Sequence, residues 1–129
     1  MSTFQSEPLA RRLAEVADAK KAEELVVLDM RELVSYTDFL VICTARNERQ
    51  AKAIVDEVRV QVKHEMALLP SGVDGAGEAG WVILDYLDCV LHVFTEEARE
   101  RYQLEDLWRE APRLELDLDA PEAPSAASA

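Results

Sequence analysis

Three aspartates and two aromatic residues have the types and spacing that could do chemistry. Asp85 and Asp88 stand three apart after the apolar run Trp81-Val82-Ile83-Leu84, with Tyr86 between them, and Asp38 opens a second apolar run. Carboxylates gathered at strand ends can hold Mg²⁺ and support phosphoryl or nucleotidyl transfer. Such chemistry also needs cations or backbone amides around the phosphate. No lysine and no helix-opening glycine loop lies beside these aspartates. The same residues serve equally well as a strand-entry residue and as turn formers. A second use is docking: Trp81, Asp85, Tyr86 and Asp88 as an exposed aromatic and acidic patch suit a basic protein surface. A third reading makes Trp81 a lid on the core and leaves the aspartates merely solvated. Metal and thiol chemistry find less to work with. There are two cysteines, Cys43 and Cys89, two histidines, His64 and His92, and no Cys-x-x-Cys. On a strand Cys89 and His92 point to opposite faces, so no shared metal, no zinc site and no cofactor is expected.

The patch must be positioned by a hairpin. Trp81–Leu84 and Cys89–Phe94 are each about one strand long, and the join between them is too short for a crossover helix, so they pair antiparallel. Upstream, Ser6–Lys21 reads as a helix capped by Ser6, with Leu9, Leu13, Val16 and Ala17 on one stripe. Glu24–Met30 and Asp38–Thr44 read as strands covered on both faces, joined by the polar stretch Arg31–Thr37. Asn47–Leu69 is the clearest helix: Asn47 and Gln50 suit a capping box, Ala51, Ile54, Val55, Val58, Val62, Met66 and Leu69 share a face, and Pro70 and Gly72 end it. Ser71–Gly80 holds all four glycines and reads as a loop, not as a phosphate cradle, because a strand and not a helix follows it. Thr95 caps a last helix running to about Arg109, and Arg113–Asp119 alternates charged residues with Leu114, Leu116 and Leu118, a pattern that could form an edge strand. The order implies an α/β or α+β domain over residues 1–112, with a mixed sheet of about four strands and helices packed on it. Residues 113–129 form an acidic, then Pro/Ala/Ser-rich tail, expected to be disordered at its end.

Charge narrows the partners. The net charge is −12; the segment from Arg113 onward contributes −3 and leaves −9 for the rest. Phosphate backbones repel such a chain, so little direct nucleic-acid contact is expected, and a basic protein is the better partner. No apolar run approaches a membrane span, and no secretory leader opens the chain, which fits a cytoplasmic, reducing location.

Several stretches in order resemble the ribosomal silencing factor family (RsfS/Iojap). These are Leu28-Asp29-Met30, Thr37-Asp38-Phe39-Leu40-Val41-Ile42, Arg49-Gln50 with Ala53-Ile54, Trp81 through Asp88, Val90-Leu91-His92-Val93-Phe94, and Arg101-Tyr102-Gln103-Leu104-Glu105-Asp106-Leu107-Trp108. The chain departs from the family pattern at Ala45-Arg46-Asn47, at Val73-Asp74-Gly75, and at Leu87, where a glycine is common in the hairpin turn. The resemblance implies a fold similar to nucleotidyltransferases but without known catalysis. It implies a factor that binds the large ribosomal subunit through ribosomal protein fourteen of that subunit. There it blocks joining of the small subunit and represses translation. It adds Tyr102, beside the hairpin, to the contact residues Trp81, Asp85, Tyr86 and Asp88. The alternative is a metal-dependent, nucleotidyltransferase-like enzyme using Asp38, Asp85 and Asp88. Apolar sheet or helix surface would also support a homodimer.

Overall fold

Side chains alternate across a strand, and here both faces of the sheet are put to use. The computed structural model describes residues 6–75 and 80–116. In chain order the elements are α1 (Ser6–Ala19), β1 (Glu23–Asp29), β2 (Phe39–Ala45), α2 (Glu48–Met66), β3 (Gly72–Asp74), β4 (Trp81–Asp85), β5 (Cys89–Thr95), α3 (Glu96–Tyr102) and α4 (Leu104–Leu107). The strands form one mixed sheet in the order β1-β2-β5-β4-β3. β2 and β5 are parallel; the other neighbours are antiparallel. Among the described residues no helix is long and apolar enough to cross a membrane.

One face is covered by α1 and α2. Leu9, Leu13 and Val16 of α1 and Ile54, Val55, Val58 and Val62 of α2 are buried against Val27, Phe39, Val41, Cys43, Leu84, Leu91 and Val93 of the sheet. Each large aliphatic side chain buried this way stabilises the fold by about 1.5–3 kcal/mol. The other face carries a smaller cluster: Leu28, Met30, Leu40, Ile42 and Phe94 meet Ala98, Ala111, Leu104 and Trp108 from the C-terminal segment. Covered from both sides, β2 is buried along its whole length.

Local chemistry sets the ends. The Asn47 carboxamide accepts from Gln50 N–H at 2.8 Å, as the sequence suggests, and α2 stops at Ala67, whose φ of 58° lies in the left-handed region. The helix therefore ends before Pro70. Gln50 closes the box one residue early: its Oε1 accepts from Arg46 N–H at 2.6 Å, while its Nε2 donates to Lys20 O and Lys21 O at the end of α1. Asn47→Ala is expected to cost about 1 kcal/mol, read as a lower urea midpoint; an unmoved midpoint would reject this cap.

Four expectations change. Ser6 is helical, the first residue of α1, and its hydroxyl donates to Asp38 Oδ2 at 2.7 Å. The sheet has five strands, not about four, because Gly72–Asp74 pairs with β4. Gly75 and Gly80, with φ of 77° and 68°, flank residues 76–79, and a Cβ on Gly80 would strike Thr95 Oγ1. The single helix expected after Thr95 breaks at Gln103, where φ is 46°. The fold also runs past residue 112: Arg113 bridges to Leu28, and Leu114 and Leu116 pack against the first cluster. The tail's end lies outside the described residues.

Candidate interaction surface

The register of the hairpin decides which residues share a face. Trp81 lies opposite Phe94, Ile83 opposite His92, and Asp85 opposite Val90. Parity then puts Trp81, Ile83 and Asp85 with Val90, His92 and Phe94 on the face away from α1 and α2. On that face Trp81, Ile83, Asp85 and Val90 are half-buried. They form an open strip beside the patch that the C-terminal segment covers.

An aromatic cluster closes one end of the strip. The Trp81 ring centroid lies 4.6 Å from that of Tyr102, 4.9 Å from Phe94 and 5.8 Å from His92. These separations are those of tilted and offset aromatic pairs, worth about 0.5–1.5 kcal/mol each beyond their burial. Trp81 Nε1–H donates to His92 Nδ1 at 3.0 Å. An imidazole that accepts at Nδ1 carries its proton on Nε2, so this bond selects the tautomer. Burial holds His92 in its neutral form and pushes its pKa down to about 4, against a smaller upward pull from Asp85. Tyr102, the last residue of α3, is 41% exposed.

Its position depends on a buried guanidinium. Arg99 donates from Nε and Nη2 to Glu105 and from Nη1 to Thr44 Oγ1 at 2.7 Å. Thr44 in turn donates to Glu24 Oε1. The Arg99 hydrogen bond holds the Glu105 carboxyl below its ordinary range. This network pins α4 back onto α3 and both onto the sheet.

The hairpin tip is the other end. Asp85 Oδ1 accepts from Leu87 N–H at 2.7 Å, a side chain closing its own turn. Tyr86 N–H donates to Cys89 O. Asp88 uses its backbone carbonyl to accept from the N–H groups of Asp38 and Phe39, seating the start of β2 under the tip. Leu87 has a φ of 73° and is 61% exposed. For a residue with a Cβ the left-handed region costs roughly 1–2 kcal/mol, so the glycine expected of this turn would be the relaxed choice.

The expected site residues therefore divide. Trp81, Asp85 and Tyr102 lie on the open face, and Asp88 lies at the tip. Tyr86 does not join them. It is 7% exposed and packs in the core under α1 and α2. Tyr86 follows the last residue of β4 and shares the buried side of Val82 and Leu84, opposite the side that carries Trp81. Burial raises the Tyr86 phenol to about 12, and its hydroxyl has no hydrogen-bond partner among the described residues. Trp81 is also not beside the tip: four residues of strand, roughly 13 Å, separate it from Asp85.

The three aspartates do not converge on a metal. Asp38 accepts from Ser6, Asp85 closes its turn, and the described residues hold no group of three His, Cys, Asp or Glu placed to bind an ion. Burial pushes the Cys43 thiol up to about 12, and Cys89 is raised further by burial together with Asp88 and Asp38. Sequence reasoning missed His92 as the partner of Trp81 and Arg99 as the pin for Tyr102. The first was readable from the hairpin parity; the second had no local signal.

The fold and strip define a small α+β domain with a mixed sheet, the long helices α1 and α2 on one face, and on the other a half-open aromatic and acidic surface beside the short α3 and α4. The family described as "Ribosomal silencing factor during starvation" matches residues 3–129. A relative named ribosomal silencing factor RsfS from Halalkalibacterium halodurans is 36% identical over 114 residues, covering 88% of this chain and 97% of the relative. One of the same name from Bacillus subtilis is 36% identical over 104 residues, covering 81% and 87%. A solved structure from Chromobacterium violaceum superposes with a TM-score of 0.77 at 26% identity, covering 82% of this chain and 88% of that one. The chain belongs to the ribosomal silencing factor family.

Proposed function

We propose that this chain is a cytoplasmic ribosomal silencing factor. It binds the large ribosomal subunit through that subunit's ribosomal protein fourteen and blocks joining of the small subunit by occupying its place, which represses translation. The observation that carries the reading is the open strip itself: Trp81 and Tyr102 at one end, Asp85 and Asp88 at the other, on a chain of net charge −12. Aromatic anchors flanked by carboxylates suit a basic protein, and the chain's charge keeps it off bare RNA phosphate. Tyr86 supports the strip from beneath. Catalysis plays no part in this reading: Asp38 and Asp85 serve as strand-entry and turn groups, and the three aspartates do not gather with other ligands around an ion among the described residues.

The test mixes the purified chain with separated ribosomal subunits and follows their joining by light scattering. Joining is expected to fall to background as the chain saturates. Normal joining in saturating excess overturns the proposal. A companion variant, Asp85→Asn with Asp88→Asn, keeps the side-chain oxygen that accepts from Leu87 and removes two charges. Co-sedimentation with large subunits is expected to weaken at least tenfold, about 1.4 kcal/mol. Undiminished co-sedimentation would remove these carboxylates from the interface.

A further inference from the structure

We propose that Leu87 is an apolar anchor of the hairpin tip, seated in an apolar pocket rimmed by lysine or arginine on the protein surface to which the strip docks. The inference rests on the function proposed above and goes beyond it, because it assigns a contact to an exposed apolar residue at the hairpin turn. Two independent observations carry it. Leu87 sits in the left-handed region with φ 73°, a conformation that a side chain makes unfavourable. Its side chain is also 61% exposed, so the free protein gains little burial in return.

The neighbouring contacts hold it there. Leu87 N–H is bound by Asp85 Oδ1, and Tyr86 N–H by Cys89 O. Tyr86 is anchored in the core, so the tip cannot turn inward. The result is a leucine held outward between two carboxylates, Asp85 and Asp88. A residue kept in a strained, exposed conformation points to something that covers it elsewhere. An apolar contact flanked by two negative charges fits an apolar pocket with a basic rim, which a basic protein offers and a bare phosphate backbone does not.

The experiment compares the full-length chain with Leu87→Gly, Leu87→Asn and Leu87→Met, measuring thermal midpoint and affinity for large ribosomal subunits. Leu87→Gly and Leu87→Asn both suit the left-handed region. Leu87→Gly is expected to raise the midpoint by roughly 2–5 °C. Both variants are expected to weaken binding at least tenfold, while Leu87→Met stays within about threefold of the parent. Stability and affinity moving in opposite directions excludes misfolding as the cause. If the parent binds and Leu87→Gly and Leu87→Asn bind equally well, this assignment fails alone. It also fails if Leu87→Met loses as much affinity as they do. If the parent does not bind large subunits, the proposed function fails and takes this inference with it.

Discussion

Replacing Arg99 by alanine is expected to destabilise the fold by about 3–5 kcal/mol, the usual range for removing one partner of a buried ion pair. The Arg99 side chain is 9% exposed and that of Glu105 is 22% exposed, so solvent cannot replace what the guanidinium provides. The truncation removes three interactions at once. Glu105 keeps a partly buried charge without a partner, and Thr44 loses the donor that faces its hydroxyl. α4 then loses its tie to α3. Domains of this size are stable by only about 5–15 kcal/mol, so the loss is a large share of the total. Urea unfolding of the parent, Arg99→Ala, Glu105→Gln and the double variant gives the coupling directly. Additive single effects would show that the pair is not coupled. Because Tyr102 sits at the end of α3 against Trp81, the near-ultraviolet signal of Trp81 is expected to change in Arg99→Ala even where the chain remains folded.

The second large effect is on pH dependence. His92 has a pKa of about 4 in the folded chain against an ordinary value of 6.5. Its folded value is the lower one, so the unfolded chain binds the proton more tightly. The stability His92 contributes is complete above pH 6.5 and is lost as pH falls toward 4. The shift corresponds to roughly 3 kcal/mol at the bottom of that window. Carboxylates held down by arginine, Glu105 by Arg99 and Asp29 by Arg31, lose their contribution at lower pH, below their ordinary range. The two effects can therefore be separated. Urea midpoints at pH 7.5, 5.5 and 4.5 are expected to fall steeply for the parent and more shallowly for His92→Gln, which keeps an acceptor for Trp81 Nε1–H. Parallel curves would show that His92 is not the group responsible.

These effects come from contacts that local pattern does not contain. α1 and α2 were legible from a helical period, β1, β2 and the β4–β5 hairpin from apolar runs of strand length, and two helix starts from their caps. Asn47 and Thr95 are examples: both act as helix caps through the side chains that the sequence suggests. β3 was not legible. Gly72-Val73-Asp74 is too short for a period and becomes a strand only by pairing with β4. The break at Gln103 was hidden for a similar reason. No glycine or proline marks it, and the Arg99–Glu105 pairing favours two short helices over one long one.

From sequence alone followed the element types, the antiparallel hairpin, the acidic balance and the two residues, Asp85 and Asp88, at its tip. Sequence reasoning grouped Trp81 with Tyr86 in one patch, and the structure puts them on opposite sides of the sheet. Only the tertiary structure decided which parity stays open. That depends on where α1, α2 and the C-terminal segment pack, and packing is settled by contacts between residues far apart in the chain. The helices took the face carrying Tyr86, and the C-terminal segment covered only part of the other. Trp81, Asp85 and Tyr102 were thereby left at the surface, and Tyr86 was enclosed.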